Sequence, residues 1–387
     1  MMHQVRSSHH LRFDVLVARS ERAIPGTFVS GPVEVSAGQL ADELSACDNL
    51  SLEGVLAART LILHALQTQR RLRRAGPLIE RRESETIVIG GMPRTGSTLL
   101  QHVIAASAPL RNLTFWQALH PTAQIEARHG LAEFPVPRAI SDAQCRVEEL
   151  RMVEQVFARH PIDAYGIAEC TPLLTSTLTS LEIPMMFDVP AFRDRLFGRS
   201  LDPEFGIIAD QLAALEGQAD QPWLLKSPLF VVDYDALFAN VRPTAVMHVK
   251  RPAAQAFASF LELAIAARRQ TSGQVDTPAV AWQMLDLWCS VLRRAADAIS
   301  ASRTPLLTVE YDDLVHSPVA ALRALRAQVP SLDGRPVNTS RVEATAREQR
   351  QRHLPSSSSV EDFGLLTADV TNRLNDAAGG YFFSAAE

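Results

Sequence analysis

One stretch, Thr86 to Ser107, constrains this chain more than any other. Thr86-Ile87-Val88-Ile89 is a short β-branched run, the residue type that suits a strand buried on both faces. Gly90-Gly91-Met92-Pro93-Arg94-Thr95-Gly96-Ser97 follows at once, and Thr98 to Ser107 reads as a helix stopped near Pro109. Strand, glycine loop and helix in that order are the first step of a parallel sheet. Trp223-Leu224-Leu225, Ala245–Val249 and Leu306–Val309 supply three further strand candidates, with helical patterns at 253–269 and 279–301. Strands alternating with helices predict an α/β fold: a mostly parallel sheet flanked by helices. Ligands of such sheets bind at the carboxyl ends of the strands.

The rest of the chain is less sharply punctuated. Residues 1–35 read as irregular. Leu and Ala recur at helical spacing from Gln39 to Arg74, and the Arg70, Arg71, Arg73, Arg74 group before Gly76-Pro77 reads as a solvated helix end. The expected organisation is a helical N-terminal segment, 1–80, and a P-loop-type domain, 81–387, with a helical insertion at about 110–220 that shapes an acceptor pocket. The run Ser356–Ser359 reads as flexible. The chain has 387 residues, 47% hydrophobic and 21% charged, so a packed core is expected. Its net charge of −5 excludes a generally basic nucleic-acid binder. No apolar run is long enough for a membrane span, and the N-terminus lacks a secretory pattern. Four scattered cysteines form no C-x-x-C pair, which argues against a zinc site and for a reducing cytoplasm.

The glycine loop has the chemistry of an anion cradle. Its spacing matches the phosphate loop G-x-x-x-x-G-K-[ST], except that Ser97 stands in place of the lysine and Arg94 lies inside the loop. Backbone N–H groups and the helix N-terminus point at one site, to which Arg94 adds a planar donor fork and Ser97 and Thr98 add hydroxyls. Without the lysine and a clear magnesium carboxylate, the loop suits a 5′-phosphate whose transfer needs no metal. Of 38 basic residues only Lys226 and Lys250 are lysine. Lys226 follows a strand candidate, and its survival amid arginine suits a point-charge role.

These residues carry a family resemblance. Pro93-Arg94-Thr95-Gly96-Ser97-Thr98-Leu99-Leu100 resembles the 5′-phosphosulfate loop of sulfotransferases that use 3′-phosphoadenosine 5′-phosphosulfate (PAPS), in particular the bacterial branch with a PRTG[ST]T loop. Ala168-Glu169-Cys170, Trp223-Leu224-Leu225-Lys226-Ser227-Pro228, Val309-Glu310-Tyr311-Asp312-Asp313-Leu314 and Asp362-Phe363-Gly364-Leu365 are similar to further motifs of that branch, in the same order. The resemblance implies a sulfonyl transfer from PAPS to a hydroxyl or amine of a small, apolar acceptor, leaving 3′,5′-ADP, with no metal. It implies Arg94, Thr95, Gly96, Ser97 and Thr98 at the 5′-phosphosulfate, Arg251 and Ser259 at the 3′-phosphate, and Arg350 and Arg352 on a segment that closes over the donor. Arg94 and Lys226 would stabilise charge on the sulfonyl and bridging oxygens.

The chain departs from the pattern at the general base. Relatives carry Trp-Glu after the loop where this chain has Trp116-Gln117, and their histidine after K-S-P is Phe230 here. Glutamine takes no proton at neutral pH, so His120, Glu169 and His160 are the candidates. Phe115, Trp116 and Phe230 suit either an apolar acceptor pocket or the core. Arg251-Pro252-Ala253 also replaces the usual Arg-Asp-Pro. Two other readings stand beside this one: a P-loop kinase or NTPase, against which the missing lysine argues, and a non-catalytic nucleotide-binding relative. A homo-oligomer is compatible with all of them.

Overall fold

The computed structural model describes residues 10–26, 31–82, 84–131, 135–151, 162–215, 221–329, 332–333, 337–352 and 358–384. Four strands form one sheet: β1 (Thr86–Ile89), β2 (Trp223–Lys226), β3 (Ala245–Lys250) and β4 (Leu306–Glu310). Their order is β2-β1-β3-β4 and every pair is parallel. The α/β expectation therefore holds, and each strand extends no more than a residue beyond its predicted run. The register sets Ile89 beside Lys226 and Met247, and Lys250 beside Glu310. β1 and β2 are buried along their whole length. Burying each Ile, Val or Leu side chain there stabilises the fold by about 1.5–3 kcal/mol.

Parallel pairing has one consequence for function: all four carboxyl ends share one edge of the sheet. The loop after β1, Lys226-Ser227 after β2, Arg251 after β3 and Tyr311 after β4 all lie on it. The chain leaves β1 toward β2 on one side, while β3 leads to β4 on the other. A crevice between β1 and β3 is the usual ligand position in a sheet with this reversal. Arg94 and Arg251 flank it.

Helices cover both faces. Ser97–Ser107 packs on one side with Pro318–Arg326 and Thr339–Arg352, and its apolar residues join those of β1, β3 and β4 in one core. On the other side lie Ala253–Thr271, Thr277–Ala301 and Thr367–Ala378, joined in a larger core by Leu52–Ala75. The first 35 residues depart from expectation. Phe13–Ala23 is helical and a second helix starts at Pro32, because Leu16 and Val33 find apolar partners in that larger core. Nonlocal burial of this kind overrides weak periodicity. Arg70 likewise does not sit on a solvated helix end. It is buried, and its Nε donates to Ser20 Oγ at 3.0 Å. Ser359 is not slack either, since its hydroxyl caps the turn Val360–Phe363 in a reciprocal bond with Asp362; Ser356 and Ser357 lie outside the described residues. Among the described residues, no helix is long and apolar enough to cross a membrane.

Candidate active site

The loop Gly90–Gly96 is shaped by backbone that side chains rarely adopt. Gly91, Arg94 and Gly96 have φ values of 97°, 69° and 109°. Gly96 is obligatory, because a Cβ there would stand 2.5 Å from the Tyr311 ring as well as in strained backbone. Thr95 is fully buried and its hydroxyl donates to the Met92 carbonyl at 2.9 Å, pinning the turn. Gly96 caps the helix Ser97–Ser107, whose first N–H groups open toward the sheet edge. Arg94 in left-handed backbone is a non-glycine residue at a ligand-cradling loop, the setting in which such strain usually has a purpose.

Three of the predicted donor-binding residues converge. Arg94 Nε donates to Ser259 Oγ at 3.0 Å, and Arg251 Nη1 donates to the Arg94 carbonyl at 3.2 Å. Ser259 is buried in the helix Ala253–Thr271, directly after β3. The Arg251 guanidinium lies 4.9 Å over the Tyr311 ring, which fixes its plane. Its Nε is buried with no hydrogen-bond partner among the described residues. A buried, unused donor of that kind beside a phosphate cradle is the feature that an anionic ligand would complete.

Lys226 occupies the other side of the loop. Its ammonium is buried, donates to Thr98 Oγ1 at 3.1 Å and pairs with Glu169. Burial pulls its pKa down and Glu169 pushes it back up. Glu169 in turn accepts from Thr171 Oγ1 at 3.3 Å, and that hydroxyl lies 3.2 Å from Ser227 Oγ. The Cys170 N–H donates to the Lys226 carbonyl at 2.7 Å, so backbone as well as charge clamps the two segments together. Glu182 faces the same cluster; burial, then the charge of Glu169, pushes its pKa up to about 7.

The other sequence candidates have partners of their own. His120 Nε2 is 2.9 Å from Asp142 Oδ2, and its ring packs edge-on against His64 at 6.1 Å. It stands at the C-terminal cap of the helix Phe115–Leu119, three residues after Gln117, and its N–H donates to the Trp116 carbonyl at 2.9 Å. Gln117 is a capping residue: its Oε1 accepts from the Thr114 N–H at 3.1 Å. Phe230 is fully buried 6.3 Å from Phe205 and belongs to the core, not to a pocket wall. Arg350 is exposed and donates to the Val315 carbonyl at 2.7 Å. The side chain of Arg352, and His160 altogether, lie outside the described residues.

Several groups at the site carry no role that the sequence pattern alone assigns. Tyr311 and Ser227 fell inside quoted motifs, so position alone could have singled them out. Tyr234 accepts the Gly91 N–H at 3.1 Å and lies 2.7 Å from His248 Nε2; a histidine inside an otherwise apolar strand was the one signal available.

Comparison with known proteins fits this geometry. A family model described as "Sulfotransferase family" matches residues 86–329, well over half of the chain. The fold is similar to that of sulfotransferase STF1 from Mycobacterium tuberculosis H37Rv, with a TM-score of 0.75 at 20% identity over 94% of this chain and 98% of that one. It is also similar to sulfotransferase STF9 from Mycobacterium avium, with a TM-score of 0.75 at 17% identity over 96% of this chain and 97% of that one. No curated protein matches the chain.

Proposed function

Because the chain belongs to the sulfotransferase family, we propose that it transfers a sulfonyl group from PAPS to a hydroxyl or amine of a small acceptor. The observation that carries this reading is the convergence of Arg94, Ser259 and Arg251 on one side of the loop, with Lys226 against Thr98 on the other. Arg94 lies between the two, bonded to Ser259 and near enough to Lys226 for its charge to act there, so cations line a path that suits a nucleotide phosphorylated at both ends. Arg94, Thr95, Gly96, Ser97 and Thr98 would hold the 5′-phosphosulfate, and Arg251 with Ser259 the 3′-phosphate.

In the transfer, a new bond forms between the acceptor oxygen and sulfur as the bond from sulfur to the bridging phosphate oxygen breaks. Charge gathers on that leaving oxygen and on the sulfonyl oxygens, and preorganised cations stabilise it in a site shielded from water. Lys226 meets the leaving oxygen as a compact ammonium, and Arg94 meets the sulfonyl group. The acceptor's proton goes to Glu169, the candidate carboxylate that lies against Lys226. His120, held by Asp142, is the second candidate. Residues 1–80 are read as a helical N-terminal segment, 81–387 as the sulfotransferase-like domain, and 110–220 as the acceptor side.

Calorimetry with 3′,5′-ADP in the absence of magnesium tests the donor site. Binding is expected, together with weaker or no binding of ATP. Preference for ATP with magnesium would instead support the kinase or NTPase reading. Transfer of labelled sulfonyl from PAPS to any of a broad panel of alcohols, phenols and amines tests turnover. Tight binding with no transfer across that panel would favour a non-catalytic relative.

A further inference from the structure

The C-terminal residues reach the phosphate loop through a single directed chain of hydrogen bonds. After the helix Thr367–Ala378, Gly379 and Gly380 turn the backbone in left-handed geometry, with φ values of 56° and 80°. The segment that follows is strapped across the end of β3. Lys250 Nζ donates to the Gly380 carbonyl at 2.8 Å, and the Ser384 N–H donates to the Arg251 carbonyl at 3.3 Å. Ser384 Oγ donates to Glu310 Oε2 at 2.6 Å. Phe382 is buried and stacks on the His248 ring at 4.7 Å. The second of the two lysines thus has a structural task at the strap.

From His248 the path runs inward. Its Nδ1 lies 3.2 Å from the Tyr381 carbonyl. A carbonyl only accepts, so Nδ1 carries the hydrogen. Burial lowers the ring's pKa to about 4, which leaves it neutral and Nε2 a bare acceptor. The Tyr234 hydroxyl, 2.7 Å away, therefore donates to Nε2. The hydroxyl oxygen accepts the Gly91 N–H at 3.1 Å. Every donor from Gly91 to Tyr381 has one assigned acceptor, and both side chains of the path, Tyr234 and His248, lie in the interior, where an unmade bond is costly. The contact leaves no slack at the loop: a Cβ on Gly90 would lie 2.2 Å from Tyr234 Oη.

We propose that Tyr234 and His248 are positioning residues for donor binding, and that the strap Gly379–Ser384 holds the phosphate loop in its binding shape through them. This rests on the reading that the loop receives the 5′ end of the donor. The strap also ties down Lys250 and Arg251 at the carboxyl end of β3. It therefore sets both halves of the donor site against each other: the loop through Tyr234, and Arg251 through its own backbone.

The test uses the full chain with Tyr234→Phe and Phe382→Ala, each read by amide exchange and by calorimetry with 3′,5′-ADP. In both variants, exchange in peptides covering 90–98 is expected to rise at least tenfold, while peptides from Thr277–Ala301 stay at the wild-type rate. Affinity for 3′,5′-ADP should fall about tenfold or more. Wild-type exchange and affinity in both variants, even with a lowered melting temperature, would overturn the proposal by showing that these groups only stabilise the fold. If wild type fails to bind 3′,5′-ADP while loop exchange still rises in the variants, the coupling stands and the donor reading falls.

Discussion

Glu169→Gln separates charge from shape at the centre of the proposed site. The substitution keeps an oxygen beside Lys226 and Thr171 but removes the carboxylate charge. Lys226 is 1% exposed, and burial alone drives it toward the neutral amine. Glu169 is the principal group opposing that drift. Two unit charges about 4 Å apart interact by about 4 kcal/mol at an effective dielectric of about 20. The Glu169 side chain is 18% exposed, so screening reduces this to about 1–3 kcal/mol. In the variant the ammonium is held less firmly and deprotonates at lower pH than in wild type. The assay is calorimetry with 3′,5′-ADP from pH 6 to pH 9, which needs no knowledge of the acceptor. At the low end of that range protonation of Lys226 is most favoured in both proteins, and the variant, freed of a carboxylate that repels the phosphate, should bind at least as tightly as wild type. Toward pH 9 its affinity should drop about tenfold or more relative to wild type, the value of a lost charged hydrogen bond. Parallel affinity curves for the two proteins across this range would refute the argument that Glu169 keeps Lys226 charged.

Arg251→Ala should weaken 3′,5′-ADP binding by about 10- to 100-fold while leaving adenosine 5′-phosphosulfate binding nearly unchanged, since a 3′-phosphate contact is what the residue is proposed to make; equal losses for both ligands in calorimetry would contradict that role. Gly96→Ala should destabilise the fold by about 2–4 kcal/mol through positive φ and the clash with Tyr311, and chemical denaturation of this variant with and without Tyr311→Ala should show partial recovery in the double variant. Acid should destabilise the protein. His64 and His248 are held near pKa values of about 3 and about 4 by burial, below the ordinary 6.5. The unfolded chain takes up protons that the folded chain refuses as pH drops from 6.5 toward those values, and each histidine then lowers stability by up to about 1.4 kcal/mol per pH unit. His64→Leu should flatten the dependence of melting temperature on pH between 6.5 and 4; an unaltered slope would show that His64 is already charged in the fold. Asp142→Asn tests His120: if the pair is structural, the melting temperature falls and the pH dependence of turnover, once an acceptor is found, does not move.

The strands and the loop were legible because their signals are local. Ile87, Val88 and Ile89 are β-branched side by side, and a glycine loop must follow for the chain to reverse into the helix. Arg94, Thr98 and Lys226 could be picked out because Lys226 ends a strand and the other two lie on the loop, or at the helix start, that directly follows one. His120 could not be judged in the same way. Its surroundings depended on what the helices Leu52–Ala75 and Val136–Arg151 brought against it. Both are contacts between segments distant in sequence, and His64 and Asp142 supply them. Phe230 was ambiguous for the same reason, since an aromatic after a strand end reads alike whether it faces a pocket or, as here, Phe205. The first 35 residues misled because the helix Phe13–Ala23 draws its stability from the core it covers more than from its own periodicity.

The amino-acid sequence by itself determined the class of fold, the phosphate-type loop and the cations beside it, because backbone geometry and strand burial are written in adjacent residues. Only the tertiary structure decided which groups meet. It joined Lys226 to Glu169, Arg94 to Ser259, and Gly91 to the C-terminal strap through Tyr234 and His248. Each of those pairs is far apart along the chain. Bringing them within a hydrogen bond takes the parallel register and the helices packed around it, and no local pattern encodes that.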